Sequence, residues 1–96
     1  MKNKSKDICQ NDIWYVYIVA CSDATLYTGV AKDVTRRLDE HNHSPKGAKY
    51  TKVRRPVVLQ YSEIQNSRSE ACKREYAIKQ LSRSEKLLLI KEQARS

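Results

Sequence analysis

Along this chain the spacing of hydrophobic positions says what each stretch forms. From Trp14 the residues alternate, with Trp14, Val16, Ile18 and Ala20 apolar on one side and Tyr15, Tyr17 and Val19 between them. A period of two marks a strand. After the short polar stretch Ser22 to Thr25, the run Leu26-Tyr-Thr-Gly-Val30 continues in strand-favouring residues, so the two runs pair as a hairpin. A register symmetric about Ser22 sets Tyr17 opposite Tyr27, and cross-strand partners share a face. Two phenols are therefore expected side by side on the sheet.

The period then changes to that of a helix. Asp33 is the expected N-cap, and Val34 to about His41 reads as a helix with Val34 and Leu38 toward the core, ended by Asn42-His-Ser-Pro45. The segment Lys46 to Arg55 reads as a loop. Pro56 opens a third strand, Val57 to Tyr61, at a first position where its missing N–H is tolerated. Two capping boxes follow: Ser67-x-x-Glu70 starts a helix to about Leu81, and Ser82-x-x-Glu85 starts another to about Ala94. The order is β-β-α-β-α-α, an α+β fold. Residues 1–12 are polar and without periodicity and read as a mobile basic arm before one domain, residues 13–96. Neither an internal repeat nor a low-complexity segment interrupts it.

Ninety-six residues, 40% of them hydrophobic, suffice for one domain with a thin core. The longest apolar stretch, Ile13 to Cys21, is nine residues long, against about 20 for a bilayer span. The lysine-rich start is not followed by a continuous apolar segment, so it does not read as a secretory signal. Cys9, Cys21 and Cys72 are odd in number and widely spaced, which offers neither a bridge framework nor a zinc pair. A cytoplasmic protein with reduced thiols is expected.

Charge narrows the partners. Nineteen Lys and Arg against eleven Asp and Glu give +8, of which the first twelve residues supply only +1. The domain itself is basic, and a basic domain attracts polyanions, nucleic acid first. Five of the ten residues from Lys46 to Arg55 are cationic (Lys46, Lys49, Lys52, Arg54 and Arg55) and none is acidic. Phenylalanine is absent while tyrosine occurs six times, so aromatic bulk here carries a hydroxyl needing a partner or a job.

Three polar residues stand where apolar ones are expected. Val34, Arg37, Leu38 and His41 form one helical stripe, which turns Arg37 and His41 toward the body of the protein. Taken alone, Arg37 can snorkel at the stripe's edge and His41 can be a fraying end that suits the helix dipole. Glu75 shares an arc with Ala71, Cys72 and Ile78; taken alone it pairs with Lys79 four residues on. Taken as a set, two phenols, an arginine, a histidine and an inward carboxylate are the parts needed for phosphodiester hydrolysis. A phenolate or imidazole can take a proton from water, a guanidinium can stabilise charge on phosphorus oxygens, and a carboxylate can hold a divalent cation.

Tyr15-Val-Tyr17, then Leu26-Tyr27-Thr28-Gly29, then Lys32-Asp-Val-Thr-Arg36-Arg37-Leu-Asp-Glu-His41-Asn resembles the GIY-YIG nuclease superfamily. Lys46-Gly-Ala-Lys-Tyr-Thr and Arg74-Glu75-Tyr76-Ala-Ile-Lys79-Gln-Leu resemble its small single-domain branch, an uncharacterised protein family similar to the nuclease domain of a structure-selective endonuclease that pairs with a scaffold partner. The resemblance covers roughly Trp14 to Ile90. It implies a three-stranded antiparallel sheet flanked by helices, and a metal-dependent endonuclease acting on DNA in a setting such as repair. By the same resemblance Tyr17 and Tyr27 line the active site, one of them as general base; Arg37 and His41 fall on the helix positions; Glu75 holds Mg²⁺ or Mn²⁺. The phosphate contacts are expected from Lys32, Lys46, Lys49, Lys52, Arg54 and Arg55. The partner is then DNA, read by shape and charge more than by base sequence, with a protein partner left open and no membrane. Two positions depart from the family pattern: the first motif lacks its glycine, and Leu87 or a neighbour stands where many members carry an asparagine. The alternative is a non-catalytic nucleic-acid-binding module that retains the fold.

Overall fold

The computed structural model describes residues 13–95, so the N-terminal arm expected from the sequence lies outside the described residues. The elements run β1 (Trp14–Ala20), β2 (Leu26–Ala31), α1 (Val34–His43), a single helical turn α2 (Lys49–Lys52), β3 (Val58–Gln65), α3 (Arg68–Lys79) and α4 (Arg83–Ala94). The expected α+β fold is present: β1 pairs antiparallel with both neighbours, giving a three-stranded sheet of order β2-β1-β3 flanked by helices. No helix among the described residues is long and apolar enough to cross a membrane.

A central strand has two covered faces, and β1 shows it: Val16, Tyr17, Ile18 and Val19 are all buried. Val16 and Ile18 point into one core with Tyr61 of β3 and Ala71 and Ile78 of α3, against which Leu89 and Ile90 of α4 pack. Tyr17 and Val19 point into a second core with Cys21, Ala31 and Val57, closed by Tyr27 and by Val34 and Leu38 of α1. Cys21 is a buried free thiol and Cys72 an exposed one.

The helix ends follow the sequence closely. The Asp33 carboxylate accepts from the Arg36 N–H at 3.0 Å, and Ser67 Oγ accepts from the Glu70 N–H at 3.1 Å. Ser82 and Glu85 complete a reciprocal capping box. Several boundaries differ. Helix α1 runs to His43 and β3 to Gln65, both longer than expected, and the Lys46–Arg55 segment holds the turn α2 where an irregular loop was expected. That turn forms because the Ala48 carbonyl accepts from the N–H groups of Thr51 and Lys52, at 3.0 and 3.1 Å.

The hairpin register also differs. Tyr17 faces Gly29, and Tyr27 faces Val19, so the turn is centred on Asp23 and not on Ser22. The cause is local: the Cys21 N–H donates to the Thr25 carbonyl at 2.8 Å, and the Asp23 carboxylate accepts from the Thr25 N–H and hydroxyl at 3.1 and 2.6 Å. A shift by one place in each strand preserves the parity, so both phenols still lie on one face, diagonal and not opposite. The glycine has a use in this register. A Cβ at Gly29 would stand 2.6 Å from the Tyr17 hydroxyl oxygen and 2.8 Å from Cζ, because the Tyr17 ring lies across the glycine.

The outer edge of β3 is also occupied. The Gln93 amide of α4 donates to the Ser62 carbonyl at 2.6 Å and accepts from the Ser62 N–H at 3.3 Å.

Because the Tyr17 ring is rigid and its hydroxyl is tethered, Gly29→Ala should cost roughly 1–3 kcal/mol, the range for overpacking a filled site. The urea unfolding midpoint measures this, and an unchanged midpoint would show that the ring is free to move aside.

Candidate active site

The second core leads directly to a polar cluster. His41, on the stripe shared with Val34 and Leu38, is 0% exposed, and Tyr17 is 2% exposed. The Tyr17 hydroxyl lies 2.8 Å from His41 Nε2. The opposite ring nitrogen, Nδ1, lies 2.9 Å from the hydroxyl of Thr51, itself fully buried on α2. Both nitrogens are thus engaged, as a buried imidazole requires. Helix α1 continues past His41, so this residue is no fraying end.

Tyr27 meets the same imidazole edge-on, with ring centroids 5.4 Å apart and planes at 70°. Its other neighbour is Tyr50, stacked at 5.9 Å, and the Arg54 guanidinium covers Tyr50 at 3.9 Å. A ladder of π faces and one cation therefore runs from the buried histidine outward.

Arg37 supplies the charge. Its guanidinium donates to Glu40 at 2.8 Å and to the Lys46 carbonyl at 3.0 Å, which ties α1 to the basic segment. It also acts on the Tyr17 hydroxyl beside it. Burial opposes its charge, but Glu40 and Tyr17 outweigh that and leave the guanidinium more firmly protonated than usual. Next to it opens a hollow of about 220 Å³, lined by Ala31, Lys32, Asp33, Arg36, Arg37 and Glu40.

Burial sets the protonation of the cluster. It pushes Tyr17 up to about 12, with Tyr27 and Glu75 adding in the same direction against the pull of Arg37. It pushes His41 down to about 4, helped by the positive charge of Arg37. With the acceptor so weak and the phenol so reluctant, the proton stays on Tyr17 in the free protein. The pair is a neutral phenol beside a neutral imidazole.

The other expected residues are distributed differently. Glu75 is half-buried on α3, with 22% of its side chain exposed, and pairs with Lys79 at 3.2 Å. Its charge is felt at Tyr17, but no hydrogen bond joins them. Cys72, placed on the same arc by sequence, is exposed. Lys46, Lys49 and Lys52 are exposed and form no close ion pair among the described residues, although the Lys46 charge is felt at Glu40, and Lys32 sits over the Trp14 ring at 5.6 Å. Arg54 and Arg55 turn inward instead. Arg55 Nε donates to the His41 carbonyl and Nη2 to the Ser44 carbonyl, each at 2.5 Å, which closes the C-terminus of α1. Arg54 donates to Asp23 at 3.0 Å and to the Tyr50 carbonyl at 2.8 Å. Both guanidiniums thus also hold the fold together, Arg54 with 31% of its side chain still exposed.

Three members were not anticipated. Thr51 enters the sequence reading only as the last residue of Lys46-Gly-Ala-Lys-Tyr-Thr, with no role, since its partner is ten residues away on another element. Glu40 stands three residues after Arg37, a spacing that permits the ion pair. Tyr50 stands between cations in a segment that shows only its charge.

Residues 13–88 match the GIY-YIG catalytic domain. The chain belongs to the GIY-YIG family. Within it, the relatives are small UPF0213 proteins: one from Desulfotalea psychrophila is 60% identical over 78 residues, covering 81% of this chain and 71% of its own. Another, from Staphylococcus aureus, is 60% identical over 81 residues, covering 84% of this chain and 98% of its own. Two solution structures share the fold. The UPF0213 protein of Bacillus halodurans is 44% identical, covers 82% of this chain and 83% of its own, and superposes with a TM-score of 0.53. An E. faecalis protein is 36% identical, covers 98% and 93%, and gives a TM-score of 0.57. In this GIY-YIG domain the sheet brings Tyr17 and Tyr27 to one imidazole, that of His41.

Because His41 is held neutral, with a folded pKa of about 4 against 6.5 when free, the folded state binds fewer protons than the unfolded chain between those values. Its contribution to stability is complete above pH 6.5 and is lost as pH falls toward 4. The urea midpoint should decline through pH 6 to 5, above the carboxylate range, and His41→Gln should flatten that part of the profile while lowering stability at pH 7.

Proposed function

We propose that this domain binds nucleic acid through its basic surface and hydrolyses phosphodiester bonds at the Tyr17, Tyr27, Arg37, His41 cluster with the help of a divalent cation at Glu75. The observation that carries the chemical step is the Tyr17 hydroxyl 2.8 Å from His41 Nε2 with the Arg37 guanidinium alongside. Family membership and net charge support the binding step more directly than the chemical one.

The chain's own residues divide the work. Arg37 faces the cavity wall and can stabilise charge that grows on the phosphorus oxygens, where a preorganised guanidinium acts most strongly. Tyr17 is the candidate general base, and His41 is the group positioned to exchange a proton with it. Tyr27 packs edge-on against His41 and helps hold the imidazole in place. Among the described residues no three His, Cys, Asp or Glu side chains gather as a metal cluster. The donor set still fits Mg²⁺ or Mn²⁺, because Mg²⁺ keeps several waters and takes one or two carboxylates together with substrate phosphates. Glu75 supplies one such carboxylate once Lys79 gives it up. A bound ion supplies positive charge against the phosphate and the leaving oxygen.

The second reading, a binding module that no longer cuts, has specific support. Glu75 is engaged by Lys79, and Leu87, which stands with its neighbours where the family resemblance leads one to expect an asparagine, is 43% exposed on α4. Labelled linear, nicked, flap and junction DNA incubated with Mg²⁺, Mn²⁺ or EDTA separates the two. Cation-dependent cleavage supports hydrolysis; salt-sensitive binding without cleavage supports the module.

Two outcomes are expected if hydrolysis holds. Glu75→Ala should abolish cleavage while DNA affinity stays the same or rises, since a negative charge near phosphate is removed; normal cutting in Mg²⁺ would remove Glu75 from the site. Tyr17→Phe should lower cleavage by roughly 10²–10⁴ with the fold intact, and near-complete activity would return Tyr17 to a packing role.

The binding step has its own check. Replacing Lys46, Lys49 and Lys52 together should weaken binding to all DNA sequences alike and lower the slope of log affinity against log salt by about one unit, or slightly less, per cation. An unchanged slope would show that the basic segment meets no phosphate.

A further inference from the structure

Thr51 is fully buried, on a surface-facing single turn whose other residues are lysines and a tyrosine. Its hydroxyl donates to the Ala48 carbonyl at 2.9 Å. A hydroxyl carries one proton, so while that proton is on the Ala48 carbonyl the 2.9 Å contact with His41 Nδ1 is filled by a proton on the ring. A neutral imidazole carries one N–H. With that proton on Nδ1, Nε2 is bare, and the 2.8 Å contact to Tyr17 is then a phenol donating to nitrogen. The competing arrangement turns the Thr51 proton to Nδ1, joined there by the Ala48 N–H at 3.4 Å, but it makes Nε2 the donor to a Tyr17 oxygen on which Arg37 already acts and leaves the phenol proton no other acceptor among the described residues.

We propose that Thr51 is a positioning residue that fixes the tautomer of His41, holding Nε2 as the acceptor for the Tyr17 proton. The proposal rests on the hydrolytic reading for its consequence, though not for its geometry. When Tyr17 is to act as a base, its O–H bond breaks, the electron pair stays on oxygen, and the proton bonds to Nε2. The imidazolium so formed has both N–H groups satisfied, one by the phenolate and one by Thr51 Oγ1. The logic is that of a nucleophile, a base and a third group that orients the base, with a threonine hydroxyl in the third place. The scaffold holds it there: Arg55 binds the carbonyls of His41 and Ser44, and Arg37 binds that of Lys46, so α1 and the α2 segment keep their spacing.

Nitrogen-15 NMR of the imidazole tests this without reference to activity. In a His43→Gln background one histidine remains, and two-bond couplings report which nitrogen is protonated. Protonated Nδ1 and bare Nε2 are expected. Thr51→Ser should keep that pattern and the cleavage rate. Thr51→Val, similar in shape but without the oxygen, should move the proton to Nε2 and slow cleavage at least tenfold. An Nε2-protonated ring in the parent protein would overturn the proposal, and so would a Thr51→Val protein that keeps Nδ1 protonated or cleaves at the parent rate with its tautomer reversed. The parent measurement needs no core variant, so misfolding of Thr51→Val does not block the test. Parent protein that binds DNA, shows protonated Nδ1 and never cleaves would refute hydrolysis and leave the tautomer assignment standing.

Discussion

The domain is organised around one neutral imidazole. His41 projects from α1 and is sealed between the sheet and α2, and it keeps that place because the Tyr17 and Thr51 hydroxyls each meet one of its ring nitrogens. A buried imidazole without both partners would cost on the order of 1–3 kcal/mol for each group left unmade, more than most surface contacts return. The requirement propagates outward. Tyr17 must lie across Gly29 for its hydroxyl to reach Nε2, which fixes the hairpin register; α2 must turn at Ala48 for Thr51 to reach Nδ1, which fixes the basic segment.

Electrostatics and packing are coupled at the same place. The Arg37 charge that helps keep His41 neutral also tempers the rise of the Tyr17 phenol, so one cation acts on both members of the pair with opposite consequences for their protons. Glu40 anchors that cation at 2.8 Å and takes a second, Arg36, at 3.4 Å. Two arginines sharing one carboxylate leave a net positive wall around the adjoining hollow. A phosphate entering it meets charge already held in place.

Much of this was legible in the sequence, and the reasons differ by residue. Strand and helix periods located the elements because the core is two-sided and each buried stripe repeats regularly. His41 and Arg37 were recognisable because they interrupt such a stripe. The register was misjudged because Asp23 closes the turn with its side chain, which the symmetry of hydrophobic positions does not report. Arg54 and Arg55 were grouped with the lysines of the basic segment because composition gives the sign of a charge but not its direction; Arg55 caps α1 and Arg54 pairs with Asp23. Thr51 was seen only as the end of a motif and given no role, since nothing in Lys-Tyr-Thr-Lys distinguishes a buried hydroxyl from an exposed one. Glu75 was found by its position in a helical arc, while the weak link to Tyr17, by charge alone, becomes apparent only in three dimensions.

Gln93 has a consequence for how copies of this protein behave together. A sheet of three strands ends where its last strand turns unpaired amide and carbonyl groups outward, and such an edge invites another chain to add itself. Along β3 the invitation is strengthened by Val58, Leu59 and Ile64, all exposed. The Gln93 side chain occupies both hydrogen-bonding groups of Ser62 at mid-strand, as a neighbouring backbone would. A single amide near the end of the last helix thereby interrupts the template at the centre of this edge, so that a chain adding itself to β3 must first displace it.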